Sequence, residues 1–218
     1  PLDIGSVPDV VVAAVLAVED SGFYRHKGVN LRALVRATLA NFQYSSGRQG
    51  ASTITQQVVK NFLLTSERSF TRKIKEAILA YKISQVFSKD QILELYLNQI
   101  YLGNNAYGVQ AASLAYFNKS VEELDLSESA FLAVMPKAPS YYEKNYPQAL
   151  ARRKYVLERM VTDGYISAQT ASKANAQEVK LVKNQKKDKK TFFLKFSFMD
   201  HTGKRFRSFI INKFLKNR

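Results

Sequence analysis

The chain has 218 residues, of which 46% are hydrophobic, with only 9 Gly and 5 Pro. This composition favours a folded, mainly helical protein of one domain, or of one domain with an appendage, and excludes a disordered chain. The absence of Cys excludes a disulfide framework and a metal site built on thiolates. The formal net charge of +15 indicates an anionic partner, such as a phospholipid surface, a nucleic acid or another polyanion.

Hydrophobic spacing predicts a series of helices along the first four fifths of the chain. Apolar residues recur there at intervals of three and four, and capping residues or Pro stand at several segment ends. The predicted helices cover residues 10–20, 31–42, 54–64, 70–87, 90–101, 106–117, 127–135, 147–164 and 167–175. The predicted caps are Asp9, Ser52 or Thr53, and Ser127. The residues of the fourth helix that we expect to face the core are Ile74, Ala77, Ile78 and Tyr81.

The positive charge is concentrated in the last part of the chain. Residues 1–175 carry 20 Lys and Arg against 15 Asp and Glu, whereas residues 176–218 carry 13 against 3. Residues 183–190 are nearly all polar, which is typical of a linker, and residues 192–199 contain four Phe and predict a short strand. We therefore predict an all-helical domain over residues 1–175, followed by a basic appendage over residues 176–218.

An acidic pair, Glu19-Asp20, ends the apolar run from Val10 to Val18. A run of this length predicts a buried helix or strand and is too short to span a bilayer. A carboxylate at its end would lie against apolar groups, which raise its pKa and keep it available as a proton acceptor near neutral pH. The alternative is that Glu19 and Asp20 are ordinary solvated residues at a helix end.

Two further polar clusters suggest a site for a phosphorylated substrate. The first, from Gly50 to Gln57, offers hydroxyls and backbone N–H groups at a predicted helix start, where phosphate binds readily. The second is a group of cations that precedes Glu76; its members are Lys60, Arg68, Arg72, Lys73 and Lys75. Two carboxylates beside a phosphate-binding basic wall fit the transfer of a group away from a pyrophosphate. The alternative for the second cluster is an exposed helix face with ion pairs between neighbouring turns.

The order of these clusters resembles the peptidoglycan glycosyltransferase domain of class A penicillin-binding proteins and monofunctional transglycosylases. The resemblance covers about residues 7–175 and includes all five motifs of that family. In chain order, the motifs are Glu19-Asp20-x-x-Phe23-x-x-His26-x-Gly28; Gly50-Ala51-Ser52-Thr53-Ile54-Thr55-Gln56-Gln57-x-x-Lys60-Asn61; Arg72-Lys73-x-x-Glu76; Ile92-Leu93-Glu94-x-Tyr96-Leu97-Asn98-x-Ile100-Tyr101-x-Gly103; and Ser129-Ala130-x-Leu132-Ala133-x-x-Pro136-x-Ala138-Pro139.

The resemblance implies a lysozyme-like, two-lobed helical fold with a cleft, and a reaction on lipid II. In that reaction the growing glycan leaves its undecaprenyl pyrophosphate and is transferred, with inversion, to the 4-hydroxyl of an incoming lipid II. Glu19 matches the general base of the family, and Glu76 matches its second essential acid, which either orients the cations or holds a divalent ion such as Mg²⁺. The other residues expected to bind substrate or pyrophosphate are Asp20, Phe23, His26, Ser52, Thr53, Gln56, Gln57, Lys60, Arg68, Arg72, Lys73, Lys75 and Asn98.

The resemblance also implies a location and partners. We expect a single transmembrane anchor outside this sequence, with the domain on the outer face of the cytoplasmic membrane. The expected partners are lipid II, the growing glycan strand, the membrane surface and a cell-wall synthesis complex, with no nucleic acid. The sequence contains no Ser-x-x-Lys, the nucleophile motif of the transpeptidase domain in class A proteins. We therefore expect either a monofunctional enzyme or a truncated form of a bifunctional one.

Two other functions remain open from the sequence. Lytic transglycosylases share the lysozyme-like fold and also use a Glu, but their chemistry does not need a basic wall for pyrophosphate. A non-catalytic module that binds anionic membranes or nucleic acid would instead be driven by the basic, Phe-rich tail. We favour the membrane as the target of the tail because the expected substrate lies there.

Overall fold

The computed structural model describes residues 2–36, 52–63 and 69–182. Within these ranges the chain is mainly helical, which confirms the predicted fold class. Its α-helices are α1 (Asp9–Glu19), α2 (Ile54–Leu63), α3 (Phe70–Val86), α4 (Lys89–Gln99), α5 (Val109–Phe117), α6 (Leu126–Leu132), α7 (Pro139–Lys144), α8 (Tyr146–Thr162) and α9 (Ala168–Ala176). Short 3₁₀ helices cover Ile4–Ser6, Val121–Glu123 and Met135–Lys137, and residues 31–36 are also helical.

The helices pack in two groups. In the first group, α2 packs against α3 and α4; in the second, α1 packs against α6 and α8, and α8 also contacts α6 and α9. α5 contacts both α4 and α6 and so links the groups. α1 ends at Glu19, and the start of α2 contacts that end through Asp20 and Gln57. The carboxylates predicted from the sequence therefore lie at the junction of the two helical groups.

Side-chain caps fix several helix starts that position this junction. Ser69 caps α3 by accepting from the Arg72 N–H, and Ser88 forms a reciprocal capping box with Gln91 at the start of α4. At α1, Asp9 is the first helical residue rather than the cap, and Pro8 precedes it. The predicted cap Ser127 is wrong as well, because α6 begins at Leu126 with a capping box between Asp125 and Glu128.

The buried face of α3 differs from the predicted one. Ile74, Ile78 and Tyr81 are each about half exposed, whereas Glu76, Ala80 and Ile83 are buried. The spacing of the apolar residues is helical, as expected, but α2 covers the opposite side of α3. The side chains of Leu31, Leu34 and Val35 are also exposed, and Leu31 is the most open of them at 70%.

One glycine is required where the loop after α1 meets α3. Gly28 has a φ of +82°, and a Cβ on it would lie 2.2 Å from the carbonyl oxygen of Ala80. Any other residue would clash with the α3 backbone, so Gly28 allows this close approach. The carbonyl of Gly28 also accepts a hydrogen bond from Thr53 Oγ1 at 2.6 Å, which fixes the loop against the start of α2.

The last described residues still pack on the helical body. Tyr146 donates to the carbonyl of Val179 at 2.6 Å, and the Val182 N–H donates to the carbonyl of Tyr116 at 2.8 Å. The predicted linker and strand over residues 183–199, and the remaining basic tail, lie outside the described residues. The division at residue 175 stays a prediction. No helix in the described ranges is long and apolar enough to cross a membrane.

Candidate active site

Glu19 lies at the C-terminal end of α1 and accepts a hydrogen bond across the junction. The donor is Gln57 Nε2 on α2, at 2.7 Å from Glu19 Oε2. Burial raises the pKa of the Glu19 carboxyl above its ordinary value, because the charged form loses contact with water. The arrangement leaves a carboxylate that is fixed in position by a neutral amide and is more basic than an exposed glutamate.

Two cations, one on α8 and one in the 3₁₀ helix Met135–Lys137, influence the pKa of Glu19. The hydrogen bond from Gln57 and the charges of Arg152 on α8 and Lys137 lower the pKa of Glu19, while the charge of Asp20 raises it further. Arg152 also lowers the pKa of Lys137, so these two cations face a common region. Neither residue is among those that the sequence predicts for the site. Lys137 stands at an unspecified position of the fifth motif, and no local pattern connects Arg152 with Glu19.

Asp20 joins the end of α1 to the start of α2. Its carboxylate contacts His26 Nε2 at 2.8 Å and accepts from the backbone N–H of Ile54 at 3.1 Å. Phe23, which is fully buried, packs edge-on against the His26 ring with a centroid distance of 6.3 Å. These contacts give Asp20, Phe23 and His26 a clear part in shaping the junction, and their contact with substrate stays a prediction.

Thr53 and Gln56 form the cap of α2. The Thr53 N–H donates to Gln56 Oε1 at 2.9 Å, and the Gln56 N–H donates to Thr53 Oγ1 at 3.1 Å. With the Ile54 N–H bound to Asp20, these N–H groups are occupied by protein oxygens. The phosphate seat expected at this helix start is therefore not formed by these three N–H groups. Thr53 and Gln56 are buried and act on the site through the helix they cap.

Glu76 is the second buried carboxylate, and it carries an ammonium partner. Lys73 Nζ donates to Glu76 Oε1 and also to Ser52 Oγ, the latter at 2.9 Å. Because Ser52 immediately precedes the α2 cap, Lys73 ties α3 to the start of α2. The structure thus brings Glu76, Lys73 and Ser52 to one end of α2, whose Gln57 contacts Glu19.

The remaining predicted cations have different settings. Lys60 and Lys75 are exposed on α2 and α3, Arg72 is partly buried on α3, and Arg68 lies outside the described residues. Of the two roles open for Glu76, the contact with Lys73 supports the orientation of cations. In the parts of the chain that the structure describes, no three His, Asp or Glu side chains lie close enough together to hold a metal ion. A divalent ion such as Mg²⁺ beside the pyrophosphate stays a prediction.

Asn98 stands apart from the carboxylates and holds the N-terminal segment. Its Oδ1 accepts from the Leu2 N–H at 2.7 Å, and its Nδ2 donates to the Leu2 carbonyl at 2.9 Å. Glu94, one turn earlier on α4, accepts from the Ile4 N–H at 3.0 Å. The structure therefore shows Asn98 anchoring the segment before α1. A substrate contact of Asn98 remains a prediction.

Comparisons with known proteins show the family to which the chain is similar. The sequence model of the family described as "Transglycosylase" matches residues 1–161. The penicillin-binding protein 1A of Rickettsia bellii (strain RML369-C) is 57% identical over 178 residues, which are 79% of this chain and 22% of the relative. The penicillin-binding protein 1A of Neisseria gonorrhoeae is 51% identical over 178 residues, which are 81% of this chain and 22% of the relative.

A solved structure also matches part of the chain. The crystal structure of penicillin-binding protein 1A from Haemophilus influenzae has 34% sequence identity, a TM-score of 0.43, and a match over 61% of this chain and 17% of that one. This chain spans less than a quarter of the length of the curated relatives reported above.

Proposed function

The chain belongs to the transglycosylase family, and we propose that it is a peptidoglycan glycosyltransferase that polymerises lipid II into β-1,4-linked glycan strands. The observation that carries the proposal is the state of Glu19. Burial raises the pKa of its carboxyl, and a neutral amide from Gln57 fixes its orientation. A carboxylate of this kind suits a general base that takes a proton from a sugar hydroxyl.

The proposed reaction is a single displacement at the anomeric carbon of the growing strand. The 4-hydroxyl oxygen of an incoming lipid II forms the new bond to that carbon while its proton passes to Glu19. The bond from the carbon to the pyrophosphate oxygen breaks on the opposite side, and undecaprenyl pyrophosphate leaves with the electron pair. The configuration inverts from α to β in this one step.

The departing pyrophosphate needs positive charge more than it needs a proton. Lys73 is held by Glu76 and Ser52 beside the start of α2, so its ammonium is fixed in direction. Lys60, Arg72 and Lys75 add charge on α2 and α3. In this proposal Glu76 acts by orienting the Lys73 ammonium.

A membrane surface is the proposed location, because the lipid chain of the substrate is held there. Two segments support a membrane location because they expose large apolar side chains. These side chains are Leu31, Leu34 and Val35 on residues 31–36, and Ile74, Ile78 and Tyr81 on α3. Residues 31–36 also carry Arg32 and Arg36, whose charges suit anionic headgroups. We propose that this surface lies on the outer face of the cytoplasmic membrane.

The test is polymerisation of fluorescent lipid II in detergent, followed on a gel. We expect polymer from the parent chain and a rate about 10²- to 10⁴-fold lower from Glu19→Gln, since the amide cannot accept the proton. Glu158→Gln is the matched control, because Glu158 is exposed on α8. No polymer from the parent, or equal polymer from Glu19→Gln, would refute the proposal. Release of anhydro-sugar fragments from purified sacculi would support lytic cleavage instead.

A further inference from the structure

Lys89 has an unusual position at the first residue of α4. Its side chain is partly buried, and its Nζ atom is fully buried with no hydrogen-bond partner among the described residues. The N-terminus of a helix carries partial positive charge, so a cation there is disfavoured. Burial lowers the pKa of the Lys89 ammonium, while the charge of Asp20 raises it. Lys89 is thus unfavourable for its own helix and needs a compensating contact elsewhere.

That contact is the buried ring of Phe23. Lys89 Nζ lies 4.4 Å from the centroid of the ring, within the range of a cation–π interaction. Phe23 packs edge-on against His26, and His26 Nε2 contacts the Asp20 carboxylate. These contacts join four side chains into one continuous group that includes the residue directly after α1. The four residues are Asp20, His26, Phe23 and Lys89.

This group is connected to Glu19 through α2. Asp20 Oδ2 accepts from the N–H of Ile54, the first residue of α2. Gln57, three residues further along α2, donates to Glu19. A shift of Asp20 would therefore move the start of α2 and, with it, the amide that orients Glu19.

We propose that Lys89 is a positioning residue for Glu19, acting through Phe23 and Asp20 on the start of α2. The ammonium holds the Phe23 ring from one side and provides a positive charge opposite Asp20. Asp20 then keeps its contacts to both His26 and the Ile54 N–H. This inference rests on the proposed role of Glu19 as the base, but its structural part can be measured without any turnover.

The structural measurement is amide hydrogen exchange by NMR in Lys89→Met and Lys89→Arg. We expect Ile54 to exchange about tenfold faster in Lys89→Met, because Asp20 loses its opposing charge. The amide of Leu97, in the core of α4, serves as the internal reference and should exchange at the parental rate. Lys89→Arg should retain the parental exchange at Ile54, because a guanidinium also stacks on an aromatic ring.

The kinetic measurement separates positioning from binding. In Lys89→Met we expect kcat for lipid II polymerisation to fall roughly 10- to 100-fold with KM nearly unchanged, because the base is misplaced while substrate contacts remain. Lys89→Arg should restore most of the rate. Lys82→Met is the control, since this substitution removes the same charge at an exposed position on α3.

The outcomes distinguish this inference from the proposed function. Parental exchange at Ile54 together with parental kcat in Lys89→Met would overturn the role of Lys89. Equal acceleration at Ile54 and Leu97 would also overturn it, because the effect would then be on global stability. If the parent makes no polymer, the proposed function fails while the exchange at Ile54 still tests the structural coupling. Lys89→Gln replaces the Met variant if that variant does not fold, with the same expected and opposing results.

Discussion

The surroundings of Glu19 and Glu76 differ in the charge of the group that binds each carboxylate. Glu19 accepts from the neutral amide of Gln57, whereas Glu76 accepts from the ammonium of Lys73. Glu19 contacts α2 directly through Gln57, whereas Lys73 links Glu76 to Ser52 just before α2, and Glu76 is only 2% exposed. An ammonium compensates the negative charge of a carboxylate in a buried site, but an amide does not.

The difference indicates separate tasks for two residues of the same type. The Glu19 carboxyl has a pKa raised by burial, so it can take up a proton as the sugar bond forms. Glu76 already has its charge matched by Lys73, and that pair orients a cation beside the start of α2. The neighbouring donor, rather than the glutamate itself, decides which carboxylate can act as the base.

The largest effect is expected when the amide donor at Glu19 is replaced by an ammonium, as at Glu76. Gln57→Lys would place an ammonium beside Glu19 and lower the pKa of its carboxyl, making it a poorer base. We expect kcat for lipid II polymerisation to fall by about 100-fold, with the acidic limb of the pH profile moved to lower pH.

Gln57→Leu is the matched variant for this exchange. It removes a hydrogen bond that lowers the pKa of Glu19, so the acidic limb should move to higher pH instead. The rate rises with pH along this limb, because the base must be ionised to act. Identical pH profiles for the parent and both variants would contradict the assignment of Glu19 as the base.

Removing the ammonium from Glu76 tests the other half of the comparison. Lys73→Met leaves a buried carboxylate without its cation and should lower the free energy of unfolding by about 1–3 kcal/mol. Urea unfolding measures this change. Lys75→Met, on an exposed neighbour of the same helix, should stay within about 0.5 kcal/mol of the parent. A second substitution, Glu76→Gln, should recover part of the loss in Lys73→Met, and no recovery would argue against the pair.

The stability of Glu19→Gln should depend on pH in a defined direction. The pKa of Glu19 is higher in the folded chain than its ordinary value of 4.5, so its favourable contribution to folding is fully present below pH 4.5. That contribution is lost as the pH rises through the folded pKa. Glu19→Gln should therefore melt above the parent at pH 7 and match it near pH 4. Glu158→Gln, at an exposed position, should show no such gain, and a Glu19→Gln that melts below the parent at pH 7 would contradict the burial argument.

Much of this site could be predicted from local sequence. The apolar run before Glu19 predicted a buried helix that ends at a carboxylate, and α1 ends at that residue. Thr53 is one of the two alternative caps that the sequence predicts for α2, and its hydroxyl accepts from the Gln56 N–H. The Asp125–Glu128 capping box was also readable, since an acidic residue follows a capping residue at the right spacing. The predicted cap Ser127 places the start of α6 too late.

The contacts that decide the chemistry could not be predicted in this way. Gln57 and Glu19 are 38 residues apart, and their hydrogen bond depends on how α2 packs at the end of α1. Arg152 and Lys137 reach Glu19 from other helices for the same reason. On α3, the periodicity identifies an apolar face but does not determine which face the fold buries. The buried face carries Glu76, whose charge is compensated by Lys73, and the sequence alone does not show this pairing.

A substitution on the exposed face of α3 should have the smallest effect on stability, and it tests which face of this helix the fold buries. Ile78 is 51% exposed, so Ile78→Ser should change the free energy of unfolding by less than about 0.5 kcal/mol. Ile83 is buried on the same helix, and Ile83→Ser should cost about 3 kcal/mol or more. If the exposed face contacts lipid, Ile78→Ser should also bind vesicles of phosphatidylglycerol and phosphatidylethanolamine about fivefold more weakly in co-sedimentation. A loss of stability at Ile78 as large as that at Ile83 would mean that protein covers this face, and the membrane would then need another contact surface.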